Sequence, residues 1–180
     1  SPVIFPLAIF FKIFGESFSI GLLISAIYII LLMISCTYYL VRCLRLSPFF
    51  SILMLQFFLG IPKLNEYGYG LFGEIPMVFY FMLCVIFISK YETEQKNEAI
   101  ILVGIFLGFG YLTKATILIC LPALLFSILF RNIIVCERRK KLFGLFHSFR
   151  DISRLFAGFF VPILLFEIFR VFSIGLENYP

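Results

Sequence analysis

Charge is what this sequence has least of. Only 14% of its 180 residues are Asp, Glu, Lys or Arg, against about 25% in an ordinary soluble domain. With 62% hydrophobic residues, 19% aromatic and a mean hydropathy of +1.09, that scarcity excludes a soluble globular surface and makes the chain a polytopic membrane protein. Histidine is nearly missing: His147 stands alone in a basic stretch with no second His or Cys nearby, and reads as a solvated surface residue. Cys36, Cys43, Cys84, Cys120 and Cys136 show no CxxC spacing, and the first four lie in or beside apolar runs. That pattern argues against a disulfide framework or a zinc site and leaves small apolar side chains. Internal repeats and low-complexity tracts are also lacking. Ser1 to Phe14 has neither a basic start nor a small-residue cleavage site, so it is not a secretory signal. With no initiator Met, and with Pro180 directly following an apolar run, both ends are expected to be cuts within a longer protein.

The formal charge of +5 would suggest nucleic acid in a soluble chain. Here the basic residues cluster between apolar runs, as topology signals do, and no nucleic-acid partner is expected. The runs predict an all-α transmembrane bundle in one domain over 1–180. An amphipathic helix at 2–14 lies on the outer surface, and spans follow at about 18–41, 48–61, 73–89, 99–113, 116–130 and 152–173.

Lys114 is the only charge between Ala99 and Phe130. At 1.5 Å per residue that stretch is about 48 Å long, too long for one crossing of a hydrocarbon core of about 30 Å. Either it is one strongly tilted helix, or it is a hairpin with Lys114 at the tip. The basic residues favour the hairpin. With the Arg42/Arg45 turn inside, the hairpin also puts Lys90, Lys96, Arg131, Arg138, Arg139, Lys140, Lys141, Arg150 and Arg154 inside, leaving Lys12, Lys63, Lys114 and Arg170 outside. A single span would move the Arg138 to Lys141 cluster outside, against the positive-inside rule.

Four groups carry chemistry in this frame. Glu74 opens a span beside Pro76, where a carboxylate is favoured by the helix dipole; it also suits a polar cavity on the outer face. The preceding loop, Pro62 to Gly73, holds Glu66, Tyr67 and Tyr69 among glycines, a composition suited to the face of a sugar. Lys114 is either a cation snorkelling to lipid phosphates or the contact for one particular phosphate. Glu167 and Arg170, at i and i+3, form an intrahelical ion pair, with Arg170 as a second phosphate contact in the functional reading. The Arg138 to Lys141 run sets topology and touches anionic headgroups without specificity.

The order of these pieces resembles a known family. Ser1-Pro2 leads into an interfacial helix that ends at Phe14-Gly15-Glu16-Ser17; Gly73-Glu74-Ile75-Pro76 then opens a span, and Gly104 to Lys114, reading GIFLGFGYLTK, is followed by Leu121-Pro122. Together they resemble the GT-C glycosyltransferases of the protein-mannosyltransferase and aminoarabinose-transferase type. The resemblance implies a polyprenyl-phosphate-linked sugar as donor and a lipid, glycan or protein hydroxyl as acceptor. It implies action on the non-cytosolic face of a membrane, most simply a bacterial inner or plasma membrane. It matches Lys114 to the donor-phosphate lysine and Glu74 to the acidic residue on the same face. The family's main acidic residue lies in an outer loop upstream of Ser1, so this segment alone is expected to be inactive. No cofactor is assigned, and a divalent metal is left open.

The expected function is therefore transfer of a sugar from a lipid-phosphate carrier, with Glu74 catalytic and Lys114, Arg170, Glu66, Tyr67 and Tyr69 binding substrate. The competing classes are a non-catalytic assembly subunit and a lipid transporter or flippase. A transporter would place charges near the bilayer midplane in broken helices and inverted repeats; the sequence has neither. The topology makes one direct prediction. On a cysteine-free background, cysteines at Lys114 and Arg139 should be labelled from opposite sides of the membrane, and labelling from one side would exclude the hairpin.

Overall fold

The computed structural model describes residues 4–15, 18–60, 74–94, 96–136 and 141–174. All regular structure among them is helical: α1 (Ile4–Phe14), α2 (Phe18–Tyr38), α3 (Pro48–Leu59), α4 (Glu74–Glu94), α5 (Asn97–Thr113), α6 (Leu121–Cys136) and α7 (Lys141–Ile174). A π-helical turn, Tyr39–Cys43, extends α2, and a 3-10 segment, Ala115–Cys120, precedes α6. The protein is an all-α helical bundle. Among the described residues, three stretches are long and apolar enough to cross a membrane: Ser19–Cys43, Glu74–Glu94 and His147–Phe172. Asn97–Thr113 and Ala115–Arg131 are apolar but shorter.

Gly15 closes α1 with φ at +83°, a conformation that costs little only without a Cβ. Its amide donates to the Phe11 carbonyl at 2.9 Å, as at a helix C-terminus. In α2, Ser35 and Thr37 donate their hydroxyls to the carbonyls of Leu31 and Met33, each at 2.8 Å. Such back-bonding satisfies a hydroxyl where water is scarce. Arg45, at φ +55°, then turns the chain toward α3.

The core is built around α5, which packs along α4 on one side and α7 on the other. Ile100, Val103 and Leu107 are fully buried, together with Cys84 of α4, Ile128 of α6 and Leu155 of α7. A second cluster joins Ile24, Tyr28 and Leu32 of α2 to Ile75 of α4. Elsewhere the helices turn large apolar side chains outward, among them Ile30 and Ile34 of α2 and Leu164, Leu165 and Phe172 of α7. Outward apolar faces of this kind suit contact with lipid, where they need no protein partner.

The sequence suggests that Gly104 and Gly108 bring α5 against the helix that begins at Gly73. The structure gives those glycines a different partner. A Cβ on Gly104 would overlap the Leu155 carbonyl oxygen, one on Gly108 would overlap the Phe159 carbonyl oxygen, and one on Gly158 would overlap the Ile101 carbonyl oxygen. The glycine face of α5 therefore belongs to α7, backbone against backbone. Periodicity identifies a small-residue face but not the helix that occupies it. Successive contacts, Gly104 with Leu155 and Gly108 with Pro162, ascend along both helices, so α5 and α7 run parallel.

The Ala99 to Phe130 stretch does turn back at Lys114. Its arms, α5 and α6, make little backbone contact, while α7 runs alongside both. The last helix starts at Lys141, eleven residues before the apolar run at Ile152. Helix α7 therefore runs without a break from Lys141 into the apolar portion.

Gly104→Ala and Gly158→Ala should each destabilise the protein by about 1–3 kcal/mol, the usual cost of overpacking, because the obstruction is backbone and has no rotamer to yield. Ile119→Ala, at a side chain 79% exposed, should change little. Thermal melting followed by circular dichroism in detergent would compare the three.

Candidate functional site

Lys114 owes its position to its neighbours in sequence. Helix α5 ends at Thr113, and Lys114 adopts an extended conformation (φ −155°, ψ 121°) between it and the 3-10 segment. Its amide still donates to the Gly110 carbonyl at 2.8 Å, and the Ile117 amide donates to the Lys114 carbonyl at 3.2 Å. Ile117 folds back so closely on Gly110 that a Cβ there would overlap its Cδ1. Both sides of the turn are thus tied down, with Ile117 buried at 2% exposure.

Glu74 is placed by α4. It is the first residue of that helix, where unpaired backbone amides favour a negative charge. Pro76 in the first turn removes an amide that would have no intrahelical acceptor there. Ile75 and Pro76 are both buried, which anchors this end of α4.

The two residues, 40 apart in sequence, meet: Lys114 Nζ donates to Glu74 Oε1. The side chains are 38% and 33% exposed, so the pair is only partly screened by solvent. Glu74 Oε2 is buried and, among the described residues, has no hydrogen-bond partner. A carboxylate oxygen without a donor is costly to bury, by about 1–3 kcal/mol, unless an incoming group satisfies it. Lys114 has three N–H donors, and Glu74 Oε1 uses one.

Sequence reading overlooked the groups around this pair. Thr116 donates its hydroxyl to Met77 Sδ at 3.2 Å, linking the 3-10 segment to the first turn of α4. One turn farther along α4, Tyr80 stacks on Phe109 with ring centroids 5.7 Å apart and lies 3.4 Å, oxygen to oxygen, from the Tyr28 hydroxyl. Met77 and Tyr80 lie three and six residues after Glu74, so helical spacing alone carries a signal for both. Thr116 follows from its place in the turn.

Arg170 lies 3.7 Å from Glu167 within α7, the intrahelical pair that the i, i+3 spacing suggests. Glu66, Tyr67 and Tyr69 fall outside the described residues, as do Arg138, Arg139 and Lys140. Among the described residues, no three His, Cys, Asp or Glu side chains gather to hold a metal ion.

The opposite end of the bundle collects a different set of charges. Ser127 of α6 donates to Glu92 Oε1 at 2.5 Å, and Tyr91 donates to Asp151 Oδ2 at 2.5 Å. Lys96 pairs with Glu94 at 2.8 Å, and that carboxylate raises the lysine's pKa. Tyr91 lies 17 residues after Glu74 on α4, so the two ends are about 25 Å apart.

Neither a curated protein nor a solved structure matches the chain. The family model for dolichyl-phosphate-mannose-protein mannosyltransferase does match, over residues 2–168, which takes in Glu74, Lys114 and the helices that bring them together. With nearly its whole length matched, this membrane protein belongs to the dolichyl-phosphate-mannose-protein mannosyltransferase family, of the GT-C glycosyltransferase type.

Proposed function

We propose that the protein transfers a sugar from a polyprenyl-phosphate carrier to an acceptor hydroxyl, and that Glu74 and Lys114 form part of the site on the non-cytosolic face. The observation that carries the proposal is the pair itself: one Lys114 donor holds Glu74 Oε1, while the buried Oε2 has no partner among the described residues. Family membership supports glycosyl transfer as the chemistry.

In the reaction, the acceptor oxygen forms a bond to the anomeric carbon as the bond from that carbon to the phosphate oxygen breaks. Both electrons of the broken bond leave with the lipid phosphate, and the acceptor proton passes to a base. Lys114 stabilises the charge gathering on the departing phosphate through its remaining N–H donors. Preorganised donors of this kind often supply the largest single catalytic contribution. Glu74, held in place by Lys114, accepts a hydrogen bond at Oε2 from the sugar or the acceptor and orients it. Arg170 is a second contact for the phosphate, and Glu66, Tyr67 and Tyr69 bind the sugar. The chain crosses the membrane several times, with Arg42, Arg45, Lys90 and Arg131 at the cytosolic end; a bacterial inner membrane is the simplest setting.

Assays of membranes carrying the full-length protein, with a radiolabelled polyprenyl-phosphate sugar as donor, would test these roles. Lys114→Ala should lower transfer by about 100-fold, the scale of losing one charge-stabilising donor. Lys114→Arg should keep part of the activity, because a planar guanidinium carries the charge but does not reproduce a compact ammonium in a tight turn. Glu74→Gln should retain donor binding while losing turnover. Full transfer by Lys114→Ala and Glu74→Gln at normal expression would reduce the pair to a snorkelling cation and a helix cap.

A further inference from the structure

Three helices meet in a second polar cluster at the end of the bundle remote from Glu74 and Lys114. The inward stripe of α6 runs through Leu124 and Ile128, 5% and 0% exposed. Three residues on, where the next inward side chain belongs, the sequence has Arg131. Its guanidinium lies over the Tyr91 ring, with Cζ 3.8 Å from the ring centroid. Its Nε is buried and, among the described residues, has no hydrogen-bond partner.

The neighbouring carboxylates are engaged elsewhere. Asp151, 3% exposed, accepts the Tyr91 hydroxyl at Oδ2 and Arg154 Nη1 at Oδ1, the latter at 3.2 Å. Glu92 accepts from Ser127, and Glu94 pairs with Lys96. Among the described residues, no carboxylate forms an ion pair with Arg131. Within that set, Arg131 is therefore a cation fixed by an aromatic ring and not by a carboxylate.

Stacking on Tyr91 uses the face of the guanidinium and none of its N–H donors, which all lie in the plane. With its Nε unpartnered among the described residues, the guanidinium edge fits an oxyanion that can accept two parallel bonds, the geometry of a phosphate. The apolar surroundings select the source of that phosphate. Phe126 and Phe130, 66% and 54% exposed, stack with centroids 5.6 Å apart on the outward side of the same helix. A cation at the end of a helix whose outward side is aromatic suits a charged headgroup joined to acyl chains.

We propose that Arg131, held flat on Tyr91, binds the phosphate of an anionic phospholipid at the membrane surface opposite Glu74 and Lys114. This site is independent of the glycosyl-transfer reading. Tyr91 acts as a platform through its ring, while its hydroxyl ties α4 to α7 through Asp151.

Native mass spectrometry of the purified protein, titrated with phosphatidylglycerol or phosphatidylcholine, would count retained lipids. The wild type should hold one phosphatidylglycerol at least tenfold more tightly than phosphatidylcholine. Arg131→Gln should abolish that preference. Arg131→Lys should lose most of it, because the ammonium lacks the planar fork, while Tyr91→Phe should keep it. A variant with Arg138, Arg139, Lys140 and Lys141 neutralised should retain the lipid. Equal phosphatidylglycerol binding by Arg131→Gln would overturn the site, as would loss of the preference only on neutralising the Arg138 to Lys141 run. Should Arg131→Gln fail to fold, undiminished preference in Arg131→Lys would overturn the bidentate geometry. Displacement of the lipid by millimolar inorganic phosphate would assign the site to free phosphate instead.

Discussion

The close approach of α5 to α7 sets the position of almost everything else. Gly104 and Gly108 on one helix and Gly158 on the other leave no room for a Cβ, so backbone carbonyls occupy the space that side chains would fill. In an apolar solvent, burying more apolar surface gives helices little reason to associate; close packing made possible by small residues supplies much of the attraction. With α7 seated in this groove, the opposite flank of α5 remains for α4. The two contacts together fix both ends of α5, and so the turn that carries Lys114.

The turn itself is a small problem in satisfying backbone groups. A helix that ends in an apolar region must place its final carbonyls and the following amides. Here Lys114 continues the bonding by donating to Gly110, and the 3-10 segment resumes it at once through Ile117. Gly110 makes this possible by leaving space for Ile117. The lysine is thus presented from a constrained backbone, and Glu74 meets it because the first turn of α4 is anchored by buried Ile75 and Pro76.

The charged side chains of α4 to α7 gather at the two ends of the bundle, and each end solves its electrostatics differently. At the Lys114 end, a cation and a carboxylate neutralise each other while leaving one buried oxygen without a donor among the described residues. At the other end, Asp151 is engaged by Tyr91 and Arg154, and Arg131 rests on the Tyr91 ring. Between them lies an almost uncharged core, in which Ile100, Val103, Leu107 and Ile128 are inaccessible to solvent. The two groups of charges lie about 25 Å apart at opposite ends of the bundle.

The amino-acid order alone determined the helical class, the membrane setting and the two residues most worth attention. Glu74 and Lys114 stand out because charge is so scarce, and Lys114 because an apolar run of about 48 Å must turn back somewhere near it. Local spacing likewise accounts for the Glu167 and Arg170 pair. Tertiary structure decided what those signals could not carry. It assigned the Gly104 and Gly108 face to α7 instead of α4, since a stripe of small residues specifies a close approach without naming the approaching helix. It joined Asp151 to Tyr91 across 60 residues and set Arg131 on the same ring. Those contacts depend on the relative rotation and register of three helices, which side-chain periodicity within any one helix leaves free.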